Sequence, residues 1–412
     1  MSDITAKETT RTEAVGERGM TRPGFASLVI ERLLSRLDCG SLLIVLPNGH
    51  RLSLRGEAPG PSGSLVLHRW RVLRRLLLAG DIGFAEAYMD GDWSSPDITT
   101  LIELIARNQA SIPGVDGGAP TSRWINRLRF MARANTLSGS KRNIVEHYDL
   151  GNAFYERWLD KSMSYSSALF ESSGQSLEDA QSTKQDRVLD MLDLQPGQSV
   201  LEIGFGWGGL AEGMAKVGNH VTGLTLSPSQ HDYAENRLKA AGLSHRADLR
   251  QLDYRKVGGS FDRIVSIEML EAVGESWWPV YFDTLRSRLR PGGTIVLQTI
   301  TIADERFASY RRSVDFIQRY IFPGGMLPSP RVLREEVEKA GLVVEAVETF
   351  GASYGHTLRL WQERFQAAWP EIAKLGFPLR FKRMWEYYLS YCEAGFRAGA
   401  IDVGLWRLGH RK

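Results

Sequence analysis

The segment that most constrains this chain is VLEIGFGWGGLAEGMA, residues 200–215. An apolar run closes at Ile203. Gly204, Gly206, Gly208 and Gly209 follow at once, and a helical period starts behind them. Strand, glycine-rich turn and helix in that order open a parallel α/β sheet. The glycines let the backbone turn tightly and come close to a bound molecule, and the helix behind them offers its N-terminus. The spacing excludes two phosphate-binding readings. No Gly-Lys-Ser/Thr follows, so this is not a P-loop, and Gly-x-Gly-x-Gly-Gly departs from the Gly-x-Gly-x-x-Gly of dinucleotide binders. The plain alternative is that the glycines serve only a tight turn.

Glu202 stands just before the loop, in an E-I-G-x-G arrangement. That is the pattern of S-adenosylmethionine-dependent methyltransferases. There the acid faces the charged part of the cofactor, often through water, while backbone groups hold its amino-acid moiety. The second strand of such folds usually ends in an acid that binds the ribose. Here it ends in Thr225-Leu226-Ser227-Pro228-Ser229-Gln230, so hydroxyls and an amide must do that work. Asp253 and Tyr254, after the third strand, sit where such folds grip the adenine. A lone Asp-Tyr pair is otherwise an ordinary loop.

The rest of the chain fits the same sheet. From about residue 141, apolar runs alternate with helical periods: QSVLEIGFG, HVTGLTL, RADLRQLDY, FDRIVSIEML, GGTIVLQTI and LVVEAVETF. Alternation of that kind implies parallel strands with crossover helices, a doubly wound α/β sheet. Residues 361–412 hold 11 of the 40 aromatic residues. They read either as helices packing on the sheet or as an apolar wall for a greasy substrate. A chain of 412 residues has room for two or three domains. Residues 1–23 read as a flexible tail and 24–112 as a small N-terminal domain. That domain has a helix in ASLVIERLLSRL, a hairpin across Asn48-Gly49 and a helix from Ile98 to Asn108. Residues 113–140 read as a linker with a basic amphipathic segment, and 141–412 as the catalytic domain.

Composition excludes several classes. Two cysteines, Cys39 and Cys392, rule out a disulfide scaffold and a four-cysteine zinc site, and no metal is expected. A net charge of +3 is too mild for a nucleic-acid binder. No apolar run approaches the roughly 18–20 residues that span a bilayer, and residues 1–24 lack the apolar core of a signal peptide. The expected location is the cytoplasm, with any membrane contact made at the surface. Charge placement is more telling. Residues 1–140 hold 17 basic and 14 acidic residues, and residues 141–412 hold 34 of each, so the whole excess lies in the first third.

Several long segments resemble one family, the cyclopropane-fatty-acyl-phospholipid synthases. HYDLGNAFYERWLDKSMSYSSALF, LEIGFGWGGLA, GLTLSPSQ, SIEMLEAVG, DFIQRYIFPGGMLPS and FGASYGHTLRLW look like its signatures, in order and at the right spacing. GDIGFAEAYMDGDW resembles the N-terminal domain of its longer members. The resemblance implies a Rossmann-like class I methyltransferase sheet with a helical cap and substrate insertions, plus a small N-terminal α/β domain. It implies transfer of a methylene group from S-adenosylmethionine to a cis double bond in an unsaturated phospholipid acyl chain. Loss of a proton from the chain would instead give a methylene- or methyl-branched lipid. A noncatalytic lipid-binding protein would need a broken cofactor loop, but Glu202, Gly204 and Gly206 look intact.

In the family, the base that closes the ring is thought to be a bound bicarbonate. By motif its ligands fall on Ser167, where the family has Cys, on Glu271, on Gln298, where it has His, on the Ile300 carbonyl and on Tyr354. The Ser and Gln variants resemble those of plant-type synthases. Glu268, where many members have Gly, adds a second carboxylate that either sharpens a base or faces the surface or the cofactor. Tyr165 and Ser166 are implied to approach the cofactor, and His147 either acts there or is structural. Tyr320 and Phe322 in YIFPGG line the acyl chain or pack the core. Arg306, Tyr310 and Arg311 either meet lipid phosphate or form a solvated face. Members of this length are often homodimers.

A bilayer substrate implies docking at the inner membrane surface. Residues 121–142 contain six basic residues and no acidic one. Trp124, Leu128 and Met131 share one face, with Arg123, Arg127 and Arg133 available to anionic headgroups. LHRWRVLRRLLL, residues 67–78, is a second basic–apolar candidate. The alternative for both is packing between domains.

Overall fold

The computed structural model describes residues 37–109 and 150–411. The tail, the helix expected before residue 37, the segment with Arg123 and Arg127, and His147 lie outside the described residues.

A small mixed sheet builds the first lobe. β1 (Cys39–Val45) and β2 (Arg51–Arg55) pair antiparallel across the Asn48-Gly49 turn, where Gly49 takes φ +80°. β3 (Ala58–Leu67) runs parallel to β1 on its other side. α1 (Arg71–Met89) follows. It is two helical halves joined at Gly80, whose φ +58° and ψ −137° leave the helical region. β4 (Trp93–Ser94) completes the strand order β2-β1-β3-β4. α2 (Ile98–Arg107) starts where Asp97 accepts the Thr100 N–H at 2.9 Å, a side-chain N-cap, and spans the helix expected there. Leu42, Ile44, Leu101 and Leu104 are buried between sheet and helices.

The second lobe starts with the short α3 (Asn152–Tyr155) and then α4 (Leu177–Leu192). β5 (Ser199–Ile203), α5 (Gly209–Lys216), β6 (His220–Thr225), α6 (Pro228–Ala240) and β7 (Ala247–Gln251) are the first wound units. β8 (Phe261–Ile267), α7 (Trp278–Arg288) and β9 (Leu289–Ile302) are the next. β5 through β9 are parallel, and β5 reads as a continuous apolar run because both faces of the sheet are covered. α8 (Asp304–Tyr310), α9 (Pro330–Lys339), β10 (Leu342–Thr349), α10 (Gly351–Lys374), α11 (Leu379–Arg397) and β11 (Ile401–His410) complete the chain.

The seven strands order as β10-β11-β9-β8-β5-β6-β7. All six expected runs are strands. The expectation missed β11, because the aromatic-rich C-terminus reads as helix. IDVGLWRLGH instead inserts between β9 and β10, antiparallel to both, and makes the sheet mixed rather than wholly parallel. Gly399, at φ +67°, ends the helix before it and frees the short apolar run that follows.

α11 joins the lobes. Glu386 accepts from Tyr88 at 3.2 Å and Glu393 from Thr99 at 3.2 Å, while Arg397 pairs with Glu103 at 2.9 Å. The aromatic C-terminal stretch serves both readings given it. Trp361, Phe365 and Trp385 are core, while Tyr388, Tyr391 and Phe396 face a cavity.

Candidate active site

The cofactor end is set by local backbone. Gly204 and Gly208 take φ +85° and +81°, which side-chain-bearing residues rarely adopt. A Cβ on Gly208 would lie 2.8 Å from the Ala234 Cβ, so glycine there lets α5 close onto α6. Pro228 opens α6 behind Ser227, whose hydroxyl accepts the Gln230 N–H at 3.3 Å. Gly204, Gly206, Thr225, Leu226 and Gln230 line one wall of a cavity of about 1150 Å³, and Asp253 and Tyr254 line it further along.

Glu202 lies buried at the root of this loop. One of its oxygens has no hydrogen-bond partner, and burial pushes its pKa up to about 8 against the pull of Lys184. An unpartnered buried carboxylate oxygen beside the glycines, with hydroxyl and amide groups opposite, suits a polar, cationic ligand such as S-adenosylmethionine. Thr225 donates to Gln230 at 3.0 Å. Asp253 already accepts from the Arg255 guanidinium at 2.8 and 2.6 Å, and that cation lies 4.6 Å above the Trp277 ring. The Tyr254 hydroxyl is buried without a partner.

In the same cavity, two carboxylates stand on the turn after β8. Glu268 Oε1 accepts the Ser167 backbone N–H at 2.8 Å and Gln298 Nε2 at 2.7 Å. Its Oε2 accepts the Tyr354 hydroxyl at 2.6 Å. Glu271 Oε1 accepts the Ile300 N–H at 2.5 Å and the Thr299 hydroxyl at 3.0 Å, while its Oε2 is buried with no partner. The structure therefore brings all six expected catalytic residues together, with two changes of detail. The Ser167 hydroxyl donates to the Ala168 carbonyl at 2.8 Å, so it is the backbone N–H of Ser167 that faces the site. Ile300 contributes its N–H, where the resemblance implies its carbonyl.

Electrostatics set the two acids apart. Burial leaves the pKa of Glu268 raised overall, with Tyr354, Ser167, the Lys184 charge and Gln298 opposing. Burial and the Glu268 charge push Glu271 up to about 8, with only Ile300, Thr299 and its own backbone opposing. Donors favour the charged form of the acid they reach, so Glu268, reached by three donors and the Lys184 charge, is the better supported carboxylate of the two, while Glu271 holds its proton up to about pH 8. Glu268 has φ +49°, a left-handed backbone that costs a side-chain-bearing residue about 1–2 kcal/mol. Hydrogen bonds to a charged group contribute about 1.5–3 kcal/mol each, so the three offset that strain.

The other expected residues divide between the cavity and the protein's internal contacts. The Tyr165 hydroxyl bonds that of Tyr388 at 2.9 Å, and its ring packs on Trp158 and Trp361 beside the cavity. Ser166 turns to Lys184, accepting its Nζ at 2.8 Å, rather than toward the cavity wall. Phe322 lines the cavity, while Tyr320 donates to Glu86 of the first lobe at 2.5 Å. Arg306 donates to Gln109 at 2.6 Å and to the Ala106 carbonyl at 3.0 Å, binding the lobes together rather than standing as a solvated face. Arg311 pairs with Glu275, and half-buried Tyr310 accepts the Leu327 N–H at 3.4 Å.

Lys184 was not foreseen. Burial brings its pKa down to about 8, against the raising charges of Glu268, Asp160 and Glu202. A signal existed, because Leu177, Ala180, Gln181, Lys184, Val188 and Leu192 repeat at helical spacing and place the lysine on the buried stripe of α4. Thr299 and Cys392, the latter a lining residue, carried no comparable signal.

The seven-stranded sheet with its antiparallel penultimate strand, and the glycine loop at the end of β5, define a class I S-adenosylmethionine-dependent methyltransferase. Residues 136–406 match the model of the mycolic acid cyclopropane synthetase family, and the chain belongs to it. It is 40% identical over 367 residues to the tuberculostearic acid methyltransferase UfaA1 of Mycobacterium tuberculosis, covering 86% of this chain and 84% of that one. It is 38% identical over 363 residues to the cyclopropane-fatty-acyl-phospholipid synthase of Escherichia coli K12, covering 87% and 89%. Among solved structures, the mycolic acid cyclopropane synthase CmaA1 complexed with SAH and CTAB matches with a TM-score of 0.61 at 31% identity, covering 65% of this chain and 97% of that one. The protein is thus a lipid-modifying, S-adenosylmethionine-dependent methyltransferase.

Proposed function

We propose that the protein adds a methylene group to a cis double bond in an unsaturated phospholipid acyl chain, forming a cyclopropane ring. The observation that carries this reading is the lining of the cavity. One cavity is lined by Gly204 and Gly206, by Glu268, Glu271 and Tyr354, and by Leu42, Ile44, Leu65 and Leu101 of the first lobe. A mostly apolar cavity shared by a cofactor loop and two acids suits an acyl chain.

Gly204, Gly206, Glu202, Thr225, Gln230, Asp253 and Tyr254 are the groups placed to hold the cofactor. When bound, S-adenosylmethionine supplies an electrophilic methyl group. An alkene has no proton to lose beforehand, so a base is of no use before transfer. The chain's own task at that stage is to align the double bond and exclude water. Methyl addition leaves a positive charge on the acyl chain. The rings of Tyr165, Tyr354, Tyr388 and Phe396 along the cavity can stabilise it without trapping it covalently. A base must then remove a proton from the added methyl.

A second reading is favoured by the similarity to UfaA1. A hydride shift along the chain before proton loss gives a methylene-branched acyl chain from the same cation, and reduction of it a methyl branch. Expression in a host lacking its own synthase, followed by mass spectrometry of the fatty acids, separates the two. We expect acids heavier by one CH2 that resist mild hydrogenation. A product that takes up hydrogen to become a branched saturated acid overturns ring closure, and no heavier acid overturns both readings.

We further infer that the protein docks on an anionic membrane surface. Each basic residue near such a leaflet contributes about 1 kcal/mol, and residues 121–142 carry six of them. In the second candidate, Trp70, Leu77 and Leu78 are exposed, which supports an apolar contact. Arg71 and Arg75 of that segment turn back onto Asp92 and Asp90 at 2.5 and 2.8 Å, so much of its charge is internally paired. Reversing the charge of Arg123, Arg127 and Arg129 should reduce co-sedimentation with anionic vesicles. Unchanged sedimentation removes the proposal.

A further inference from the structure

A bound bicarbonate needs several donors free to face one small anion. The ligand set implied by the family resemblance comprises Ser167, Glu271, Gln298, Ile300 and Tyr354. In this chain three of those five are directed at Glu268: the Ser167 N–H at 2.8 Å, Gln298 Nε2 at 2.7 Å and the Tyr354 hydroxyl at 2.6 Å. The Ile300 N–H, a further donor at this place, is taken by Glu271, and the Ile300 carbonyl can only accept. A second anion there would sit against the Glu268 charge, in a buried site whose donors are already engaged. The residues present do not fit bicarbonate.

They fit something chemically equivalent. A carboxylate and a bicarbonate each present two oxygens on a planar carbon with one negative charge. We propose that the Glu268 carboxylate is the protein's own base, standing where relatives are thought to bind an oxyanion. This rests on the reading that the reaction is methyl transfer to an alkene.

Three independent observations support the assignment. The first is position. Glu268 lines the cavity, and its neighbour Met269 packs against the cofactor loop, with Cγ 3.2 Å from where a Cβ on Gly204 would stand. The base is therefore the sequence neighbour of a residue that touches the loop placed to hold the methyl donor. The second is backbone. The φ of +49° belongs to the region glycine prefers, so a side chain at this point is held against its conformational preference by the contacts its carboxylate makes. The third is charge. Three donors and the buried Lys184 favour the ionised form of Glu268, while Glu271 beside it is driven to the neutral form.

The step balances. A C–H bond of the newly added methyl breaks, and its electron pair forms the third carbon–carbon bond of the ring at the cationic carbon. The proton goes to a Glu268 oxygen. Cation and carboxylate become a neutral ring and a neutral acid, and that proton passes to water when the product leaves. If a hydride shift comes first, the same proton goes to the same oxygen and the electron pair closes a carbon–carbon double bond.

The test uses the full-length protein with vesicles of cis-unsaturated phospholipid, in buffer stripped of carbon dioxide or supplemented with bicarbonate. Wild-type turnover should be the same in both. Glu268→Gln keeps the shape but removes the base, and should lose about 100-fold in turnover in both buffers, the scale of general-base catalysis. Glu268→Gly opens the position and suits the left-handed backbone, so it should lose as much in stripped buffer and recover about tenfold or more when bicarbonate is added. S-adenosylhomocysteine binding by calorimetry, unchanged in both variants, establishes that the cofactor end is intact. Wild-type turnover that collapses without bicarbonate overturns the proposal. So does a Glu268→Gln variant with turnover near wild type, or a Glu268→Gly variant that binds the cofactor product but gains nothing from bicarbonate. If neither variant folds, the wild-type comparison alone decides. Failure of the functional reading looks different, because the wild type then forms no heavier fatty acid in either buffer.

Discussion

The two polar parts of the cavity lining are built in opposite ways. The cofactor end is made from contiguous residues, Gly204 to Gly209, whose conformation follows from the lack of a side chain. The acid end is assembled from residues far apart in the chain. Ser167 and Tyr354 reach Glu268 from 101 and 86 positions away. A local device tolerates almost any surrounding sequence but no side chain of its own. An assembled device tolerates conservative change at each member, because the others still define the place. Ser167 and Gln298, where the resemblance implies Cys and His, still reach Glu268 in this way.

The comparison breaks most sharply at the glycine end. Gly208→Val forces a left-handed β-branched residue and drives its Cβ toward Ala234. We expect a combined cost of about 2–5 kcal/mol, seen as a lowered melting temperature and a loss of S-adenosylhomocysteine binding by calorimetry. Retained affinity and stability would mean that the loop is not locally determined. At the acid end the expected split is the reverse. Glu271→Ala removes the acceptor of the Ile300 N–H and the Thr299 hydroxyl beside Glu268, and should lower turnover about tenfold while leaving cofactor affinity little changed. Near wild-type turnover would remove Glu271 from the chemistry.

A smaller effect sharpens the account of the acid pair. Folded Glu271 keeps its proton up to about pH 8, whereas in the unfolded chain it ionises in the ordinary carboxylate range. The stability it contributes is therefore complete in acid and is lost as pH rises through 8, a term on the order of 1 kcal/mol or more. The melting temperature of the wild type should fall more between pH 6 and pH 9 than that of Glu271→Gln. Parallel curves would mean that Glu271 is ionised in the fold. The smallest effect concerns the joint between the lobes. Tyr320→Phe removes the hydrogen bond to Glu86 and should cost about 1 kcal/mol, with cofactor affinity unchanged.

Much of this was legible in the residues. The six apolar runs from QSVLEIGFG to LVVEAVETF are strands, and the Asn48-Gly49 turn and the helix from Ile98 are present, because each is a short-range pattern with its own stop signal. β11 was not legible. Its ten residues follow an aromatic helical stretch, and only pairing with β9 and β10 makes them a strand. Lys184 was legible in principle from the stripe of α4, but a lysine on an apolar face is easily taken for a snorkelling surface residue.

The sequence by itself determined the cofactor loop and the order of the wound units, because glycine geometry and periodicity act over short distances, and its resemblance to a family pointed to the residues that meet around the two acids. Only the tertiary structure decided what those residues do to one another. It turned the Ser167 hydroxyl away and its backbone N–H inward, and it put the Glu268 carboxylate among the donors of Ser167, Gln298 and Tyr354. Hydrogen-bond direction and the splitting of two buried acids depend on burial and on neighbours from four distant segments. No local pattern in the chain carries that information.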